Sequence, residues 1–325
     1  MSLHEIARTL MQDGKGIFIA DEYSESLNEL FSLQNISGDD AKRAYREIIF
    51  TTEGIERFLS GVVLSEEALG QSSSDGTPFY EVLSAKEILV GVTLQLSSDT
   101  AGLKEHVHEL RSRAVSFAYI RIDGRVDDGP ATEEVKEKIR NVIECAKILQ
   151  NENVLPILGI DVMTDGPHTA GQAEDHLVET LALLSDALES SGLDLKGLII
   201  GTTLSATGLQ NPLRAEPNEV AQRSLRALSS SLPETLGGVS ILSGQDVPEK
   251  VTANLNALSR LEPFPWPITF SFSRAFHIPA LSVWCGMDEN AGNAQSVFLS
   301  RLSLTESADA AGYSGSMEDG TLDRL

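Results

Sequence analysis

Cysteine and long apolar segments are scarce in this sequence. Two cysteines among 325 residues cannot form the dense disulfide framework of a small secreted domain. Cys145 and Cys285 lie among apolar residues, so we interpret both as reduced core residues. No run of about 18 apolar residues is present, which argues against a transmembrane helix. The first residues lack the basic and apolar regions of a signal peptide, so a cytoplasmic location is expected.

Positive charge is also scarce. The chain has 25 lysines and arginines against 48 aspartates and glutamates, for a formal net charge of −23. Nucleic acids and anionic membrane surfaces bind through clustered basic residues, so neither is an expected partner. A small anionic ligand would have to be held by a few well-placed cations, although the acidic surface could also serve only solubility. The histidines form no zinc-type pattern.

Short apolar, β-rich segments alternate along the chain with amphipathic segments of helical spacing, for example over 133–151, 173–191, 217–231 and 248–261. This alternation predicts a parallel sheet, and eight repeats favour a single-domain α/β protein with the (β/α)8 TIM-barrel fold over residues 1–305. The composition of 306–325 predicts a flexible acidic C-terminal tail. The predicted strands are residues 16–21, 61–65, 90–96, 117–122, 155–162, 197–203, 238–243 and 268–273.

Several blocks of sequence occur in the order found in one family of sugar-phosphate enzymes. Through these blocks the chain resembles the class I fructose-bisphosphate aldolases. The resemblance implies a TIM barrel, a small phosphorylated metabolite as ligand and a homotetramer, while function depends on the individual site residues. The matching blocks are residues 14–22, 43–52, 60–67, 117–121, 242–245, 254–258 and 269–275.

The lysine that defines this family's chemistry has no counterpart here. By the resemblance, the Schiff-base lysine corresponds to Gly201, two further lysines correspond to Tyr119 and Thr93, and two glutamates correspond to Gly159 and Asp161. A glycine cannot form an imine. No lysine of the chain falls at the C-terminal end of a predicted strand, where a barrel places its chemistry. We therefore expect that ordinary imine-dependent cleavage of fructose bisphosphate is lost.

The family's phosphate subsite is better preserved. Ser243 and Gly244 follow the seventh predicted strand, and Ser273 and Arg274 follow the eighth. Backbone N–H groups of such turns and one arginine are suited to a phosphate, so these residues are the predicted phosphate-binding set. The alternative is that these four residues serve only the geometry of the two turns and bind no phosphate. Gln245 departs from the family, which has a second glycine at that position.

The family's second phosphate clamp is replaced by residues of the wrong charge. Glu29 and Leu30 stand where the resemblance places a basic pair. Repulsion between Glu29 and a distal phosphate would disfavour a bisphosphate, although Arg121, which matches a family arginine, could partly offset it. A monophosphate is therefore the expected ligand.

Polar residues at the strand ends supply candidates for another chemistry. Asp21, Asp161, Arg121 and Thr93 are the predicted catalytic residues, with a carboxylate as base and Arg121 polarising a carbonyl. Asp21, Asp123 and Asp161 would repel one another or hold a divalent metal, and no other cofactor is expected. Whether the chain is an enzyme stays open at this stage.

Two hypotheses of function therefore remain. One is a divergent carbon–carbon lyase or isomerase that acts on a phosphorylated keto compound. The other is a catalytically inactive aldolase homologue that acts as a sugar-phosphate sensor or scaffold. Tyr313, the only tyrosine of the predicted tail, is given no role in either.

Overall fold

Eight parallel strands close into one barrel in the order of the sequence in a computed structural model that describes residues 1–20, 24–95, 100–126 and 132–319. Their apolar runs are buried on both faces, as expected for strands enclosed by helices. The predicted TIM barrel is thus confirmed. The strands are β1 (Gly16–Ile19), β2 (Leu59–Leu64), β3 (Leu89–Leu94), β4 (Val115–Arg125), β5 (Leu155–Met163), β6 (Ile199–Thr202), β7 (Gly238–Leu242) and β8 (Ile268–Phe272).

Helices surround the barrel and connect its strands. Two predicted helices, over 133–151 and 217–231, have the predicted bounds, because a capping threonine or an N1 proline marks where each begins. The helices are α1 (Leu3–Leu10), α2 (Ser24–Leu33), α3 (Asp39–Thr51), α4 (Glu66–Leu69), α5 (Phe79–Ala85), α6 (Thr100–Ser112), α7 (Glu133–Asn151), α8 (Ala170–Glu189), α9 (Pro217–Ser231), α10 (Pro248–Ser259), α11 (Arg274–Trp284) and α12 (Ala291–Asp309).

The N-terminal end of the barrel is closed by helix α1. Ser2 caps this helix through a capping box with Glu5. Its apolar face, including Ile6 and Leu10, belongs to the same buried cluster as the inward side chains of β4 and β5, such as Phe117. A ligand cavity must therefore open at the other end, where the strands terminate.

Strands β4 and β5 continue beyond the predicted apolar runs. They stay paired to Arg125 and Met163, with Asp123 opposite Asp161. On β4 the predicted run ends at Ile122 because charged side chains follow at Asp123 and Arg125, whereas β5 is longer than predicted only by Met163. The paired ends of the two strands carry Arg121, Asp123 and Asp161 on a rigid ladder of hydrogen bonds at the open end of the barrel.

The C-terminal tail predicted to begin at Glu306 does not begin there. Helix α12 continues to Asp309, and Tyr313 is only 5% exposed. The buried guanidinium of Arg301 donates to both carboxylate oxygens of Glu318 at 2.7 and 2.8 Å, and Tyr313 donates to the same carboxylate at 2.7 Å. Composition suggested a loose tail, but this polar cluster holds the segment against α10 and α12. Residues 320–325 lie outside the described part of the chain.

The two cysteines differ in their surroundings. Cys145 is buried in α7, and burial raises the pKa of its thiol to about 12. Cys285 is exposed, which contradicts its predicted core position, because it ends α11 in a left-handed conformation. Among the described residues, no helix has the length and hydropathy needed to cross a membrane.

Candidate active site

A cavity of about 200 Å³ opens at the C-terminal ends of the strands. All four residues of the predicted phosphate set line it, as do Arg121 and Asp161. Residues distant in sequence meet here because parallel strands of a barrel end at the same rim.

One side of the cavity is rich in hydrogen-bond donors. Gly244 has a φ of +61°, a conformation that favours glycine, and so turns the chain sharply after β7. Helix α11 begins at Arg274, directly after Ser273, and both of these residues line the cavity. The Nη1 atom of Arg274 lies 3.7 Å from the exposed carboxylate of Glu29 on α2, and its buried Nε has no hydrogen-bond partner among the described residues. We call this the donor side.

The opposite side carries a compensated arginine. The Arg121 guanidinium forms ion pairs with both aspartates: Nε contacts Asp123, and Nη2 lies 2.7 Å from Asp161 Oδ2. The structure places Arg121 between these two carboxylates, which the sequence predicts to repel each other or to hold a cation. Burial raises the pKa of Asp161, an effect that Arg121 opposes and Asp123 reinforces. We call this the acidic side.

The barrel interior below Gly201 and Gly159 is filled by Tyr119. A Cβ atom added at Gly159 would lie 2.3 Å from the Tyr119 hydroxyl oxygen and 2.5 Å from its Cζ. A Cβ at Gly201 would lie 3.6 Å from Tyr119 Cε2 and 3.3 Å from Ser240 Oγ. Tyr119 is 1% exposed. The tyrosine ring therefore occupies the space in front of Gly159 and lies within contact distance of a Cβ at Gly201.

Lysine is absent from this cavity. Lys15 and Lys196 precede strands at the closed end of the barrel, and the remaining lysines lie in helices or at a helix end. Lys42 and Lys250 are held by Asp39, Glu67 and the Ala215 carbonyl, outside the cavity. All nine lysines are described. No primary amine of a side chain is thus placed to attack a bound carbonyl.

Not every predicted catalytic residue reaches the cavity. Thr93 is buried on β3 opposite Tyr119 and is not a lining residue. Asp21 lies outside the described residues. Within the described ranges, no group of three histidine, cysteine or carboxylate side chains is arranged to hold a metal ion.

His277 is a lining residue that sequence reasoning missed. Its Nε2 lies 3.0 Å from the Ala20 carbonyl, which can only accept, so Nε2 carries the proton and Nδ1 accepts from Tyr45 Oη at 3.0 Å. Burial, together with the charges of Arg46 and Arg274, lowers the pKa of His277 to about 4, although the hydrogen bond to Ala20 opposes this shift. The neutral ring thereby connects the end of β1 to α3. The one signal in the sequence was its spacing, three residues after Arg274 on a helix.

Fold and cavity together define an α/β-barrel protein with a polar cavity at the C-terminal ends of its strands. A sequence model of class I fructose-bisphosphate aldolase matches residues 2–324. The chain therefore belongs to the class I fructose-bisphosphate aldolase family.

Individual relatives agree with this assignment. Fructose-bisphosphate aldolase 1 of Toxoplasma gondii is 30% identical over 96% of this chain and 91% of its own length. Human fructose-bisphosphate aldolase C is 28% identical over 98% and 92%. A crystal structure of the Plasmodium falciparum aldolase in complex with TRAP and a small-molecule inhibitor superimposes with a TM-score of 0.90 at 27% identity, covering 96% of this chain and 95% of that one.

Proposed function

We propose that this chain binds a phosphorylated keto compound with its phosphate on the donor side of the cavity. The supporting observation is the convergence of Ser243, Gly244, Ser273 and Arg274 at one cavity. Glu29 is the only charged partner of Arg274 among the described residues, and it is 71% exposed at 3.7 Å. Such an exposed ion pair is weak, so a phosphate dianion can displace Glu29 at little cost.

The charges favour a monophosphate over a bisphosphate. Glu29 and Leu30, which stand in place of a basic pair, line the cavity and supply no cation for a second phosphate. Arg121, which could have helped, is already compensated by Asp123 and Asp161. A second phosphate would therefore meet acidic groups without a free partner.

We further propose that any conversion of this ligand proceeds without an imine. Tyr119 fills the interior beside Gly201, and no lysine lines the cavity. Asp161 is the proposed proton acceptor and donor, since burial raises its pKa toward the range useful for proton transfer. Arg121 beside it would polarise the carbonyl. The reaction class is that of a carbon–carbon lyase or isomerase. A divalent metal held by Asp161 and Asp123 would have to displace Arg121 from between them.

A sugar-phosphate sensor or scaffold is the second candidate. The observation that favours it is the position of Tyr119 beside Gly159 and Gly201, where the family has acid–base groups. A bound ligand would therefore meet few side chains that can exchange protons with it. Both candidates share the phosphate site. As in the family, we propose that the chain forms a homotetramer and acts in the cytoplasm. Light scattering of the purified chain would test the tetramer.

Binding is tested by calorimetric titration with dihydroxyacetone phosphate. Arg274→Ala should weaken binding about 10–100-fold, because a charged hydrogen-bonding partner is lost. Arg226→Ala is the matched control: it removes the same charge from α9, where Arg226 pairs with Glu174. Fructose 1,6-bisphosphate should bind more weakly than the monophosphate. Equal affinities of the Arg274→Ala and control variants would refute the proposed site.

Chemistry is tested in two further measurements. Borohydride reduction in the presence of dihydroxyacetone phosphate should leave the protein mass unchanged, whereas an imine-forming aldolase gains an adduct. Turnover of phosphorylated ketoses, assayed with and without magnesium, should be lost in Asp161→Asn while phosphate binding persists. Binding without turnover in the wild type would assign the chain to the sensor or scaffold class.

A further inference from the structure

Thr164 lines the cavity but is not a member of the proposed phosphate set. It directly follows β5 and borders the cavity together with Ser243, Gly244 and Arg274. Its Oγ1 and Cγ2 lie 3.8 and 3.9 Å from the position of a Cβ on Gly244, so the side chain lies close to the sharp turn after β7.

The hydroxyl of Thr164 is buried without a hydrogen-bond partner among the described residues. The residue is 6% exposed. A buried hydroxyl that lacks a partner is costly, so such groups in native proteins are usually satisfied by water or by a ligand. Arg274 Nε is in the same condition on the same cavity. Two unsatisfied donors on one cavity predict a ligand that is rich in acceptors.

The backbone around Thr164 is held in place. Its carbonyl accepts from Leu209 N–H at 2.7 Å, and Gly166 accepts from Gln210 N–H at 3.1 Å. Gly208 packs so closely on Gly166 that a Cβ there would lie 2.1 Å from the Gly166 oxygen. The loops after β5 and β6 therefore fix the threonine before any ligand arrives, which lowers the entropic cost of using it.

We propose that Thr164 determines specificity at the donor side by donating its hydroxyl proton to a phosphate oxygen of the ligand. This inference rests on the proposed function and adds a residue to its phosphate site. A threonine hydroxyl can donate or accept a hydrogen bond. Because the neighbouring Gly244 and Arg274 are proposed to donate to a bound anion, the hydroxyl in this cavity is assigned the same role, as a donor to that anion. The ligand is thus a phosphate or phosphomonoester.

The test compares Thr164→Val, which keeps the shape and removes the hydroxyl, with Thr164→Ser, which keeps the hydroxyl. Affinity for inorganic phosphate and for dihydroxyacetone phosphate is measured by calorimetry. Thr164→Val should weaken both ligands about 10-fold, the effect of one hydrogen bond to a charged group. Thr164→Ser should restore binding to within about 3-fold of the wild type.

The unfolding temperature without ligand separates binding from structure. Thr164→Val should leave it unchanged or raise it, since the methyl group replaces an unsatisfied hydroxyl. A lower unfolding temperature with unchanged affinity would overturn the proposal and make the hydroxyl structural. Loss of affinity for dihydroxyacetone phosphate alone would also overturn it, because the contact would then be to the carbon skeleton.

Failure of this inference is distinguishable from failure of the proposed function. If Arg274→Ala weakens phosphate binding and Thr164→Val does not, only the role of Thr164 is refuted. If neither variant changes affinity, the phosphate site itself is refuted, and the inference is refuted with it.

Discussion

The contact between Tyr119 and two glycines makes a sharp prediction about the barrel interior. Gly159 and Gly201 face each other on β5 and β6, and neither has a positive φ, so alanine fits the backbone at both. The difference is steric. The added methyl at Gly159 would lie 2.3 Å from Tyr119 Oη, whereas at Gly201 the shortest distance is 3.3 Å, to Ser240 Oγ.

The magnitudes follow from these distances. Non-bonded carbon atoms prefer separations of about 3.5–4.0 Å, so Gly159→Ala must displace a fully buried ring by more than about 1 Å. Such overpacking costs about 1–3 kcal/mol. Gly201→Ala needs only a small shift of a serine hydroxyl, and the lower entropy of the unfolded chain offsets it by about 0.4–1 kcal/mol. Gly201→Ala should therefore be close to neutral.

Denaturant midpoints of four variants test this reasoning. Gly159→Ala should unfold at lower denaturant than Gly201→Ala, with unchanged slopes. In a Tyr119→Leu background, which lacks the ring atoms nearest to Gly159, the cost of Gly159→Ala should largely disappear. The double-mutant cycle should give a coupling of about 1–3 kcal/mol. If both alanine variants are equally stable, Tyr119 does not fill the interior as described.

Three other predictions concern titrating groups and the C-terminal segment. Burial raises the pKa of Asp309 to about 7, so the stability of the protein should fall as pH rises from about 4 through 7. In thermal melts, Asp309→Asn should be more stable than the wild type at pH 8 and should show no gain below pH 4. The pKa of His277 is lowered to about 4, so stability should be lost on acidification from about 6.5 to 4, and His277→Gln should flatten that profile. Glu318→Gln should lower stability by about 1.5–3 kcal/mol in denaturant melts, because the buried Arg301 loses its charged hydrogen-bonding partner. An unchanged midpoint would show that the pair of Arg301 and Glu318 does not hold the C-terminal segment.

The strands of the barrel were predictable because each is an apolar run buried on both faces, a signal that needs no knowledge of neighbours. The donor side was predictable for a related reason. Ser243 and Ser273 follow strands directly, and any barrel brings such positions to the same rim. The positions of the lysines were predictable as well, since none of them directly follows a strand in the sequence.

The tertiary structure alone decided how side chains share the interior. No sequence pattern indicates that the ring on β4 lies over glycines of β5 and β6, that Arg121 is bracketed by two aspartates, or that Thr164 and His277 border the cavity. Periodicity determines which face of a strand a residue occupies, but the reach and packing of its side chain depend on neighbours from distant parts of the chain. For the same reason, composition predicted a loose tail where the contacts of Arg301 hold an ordered one.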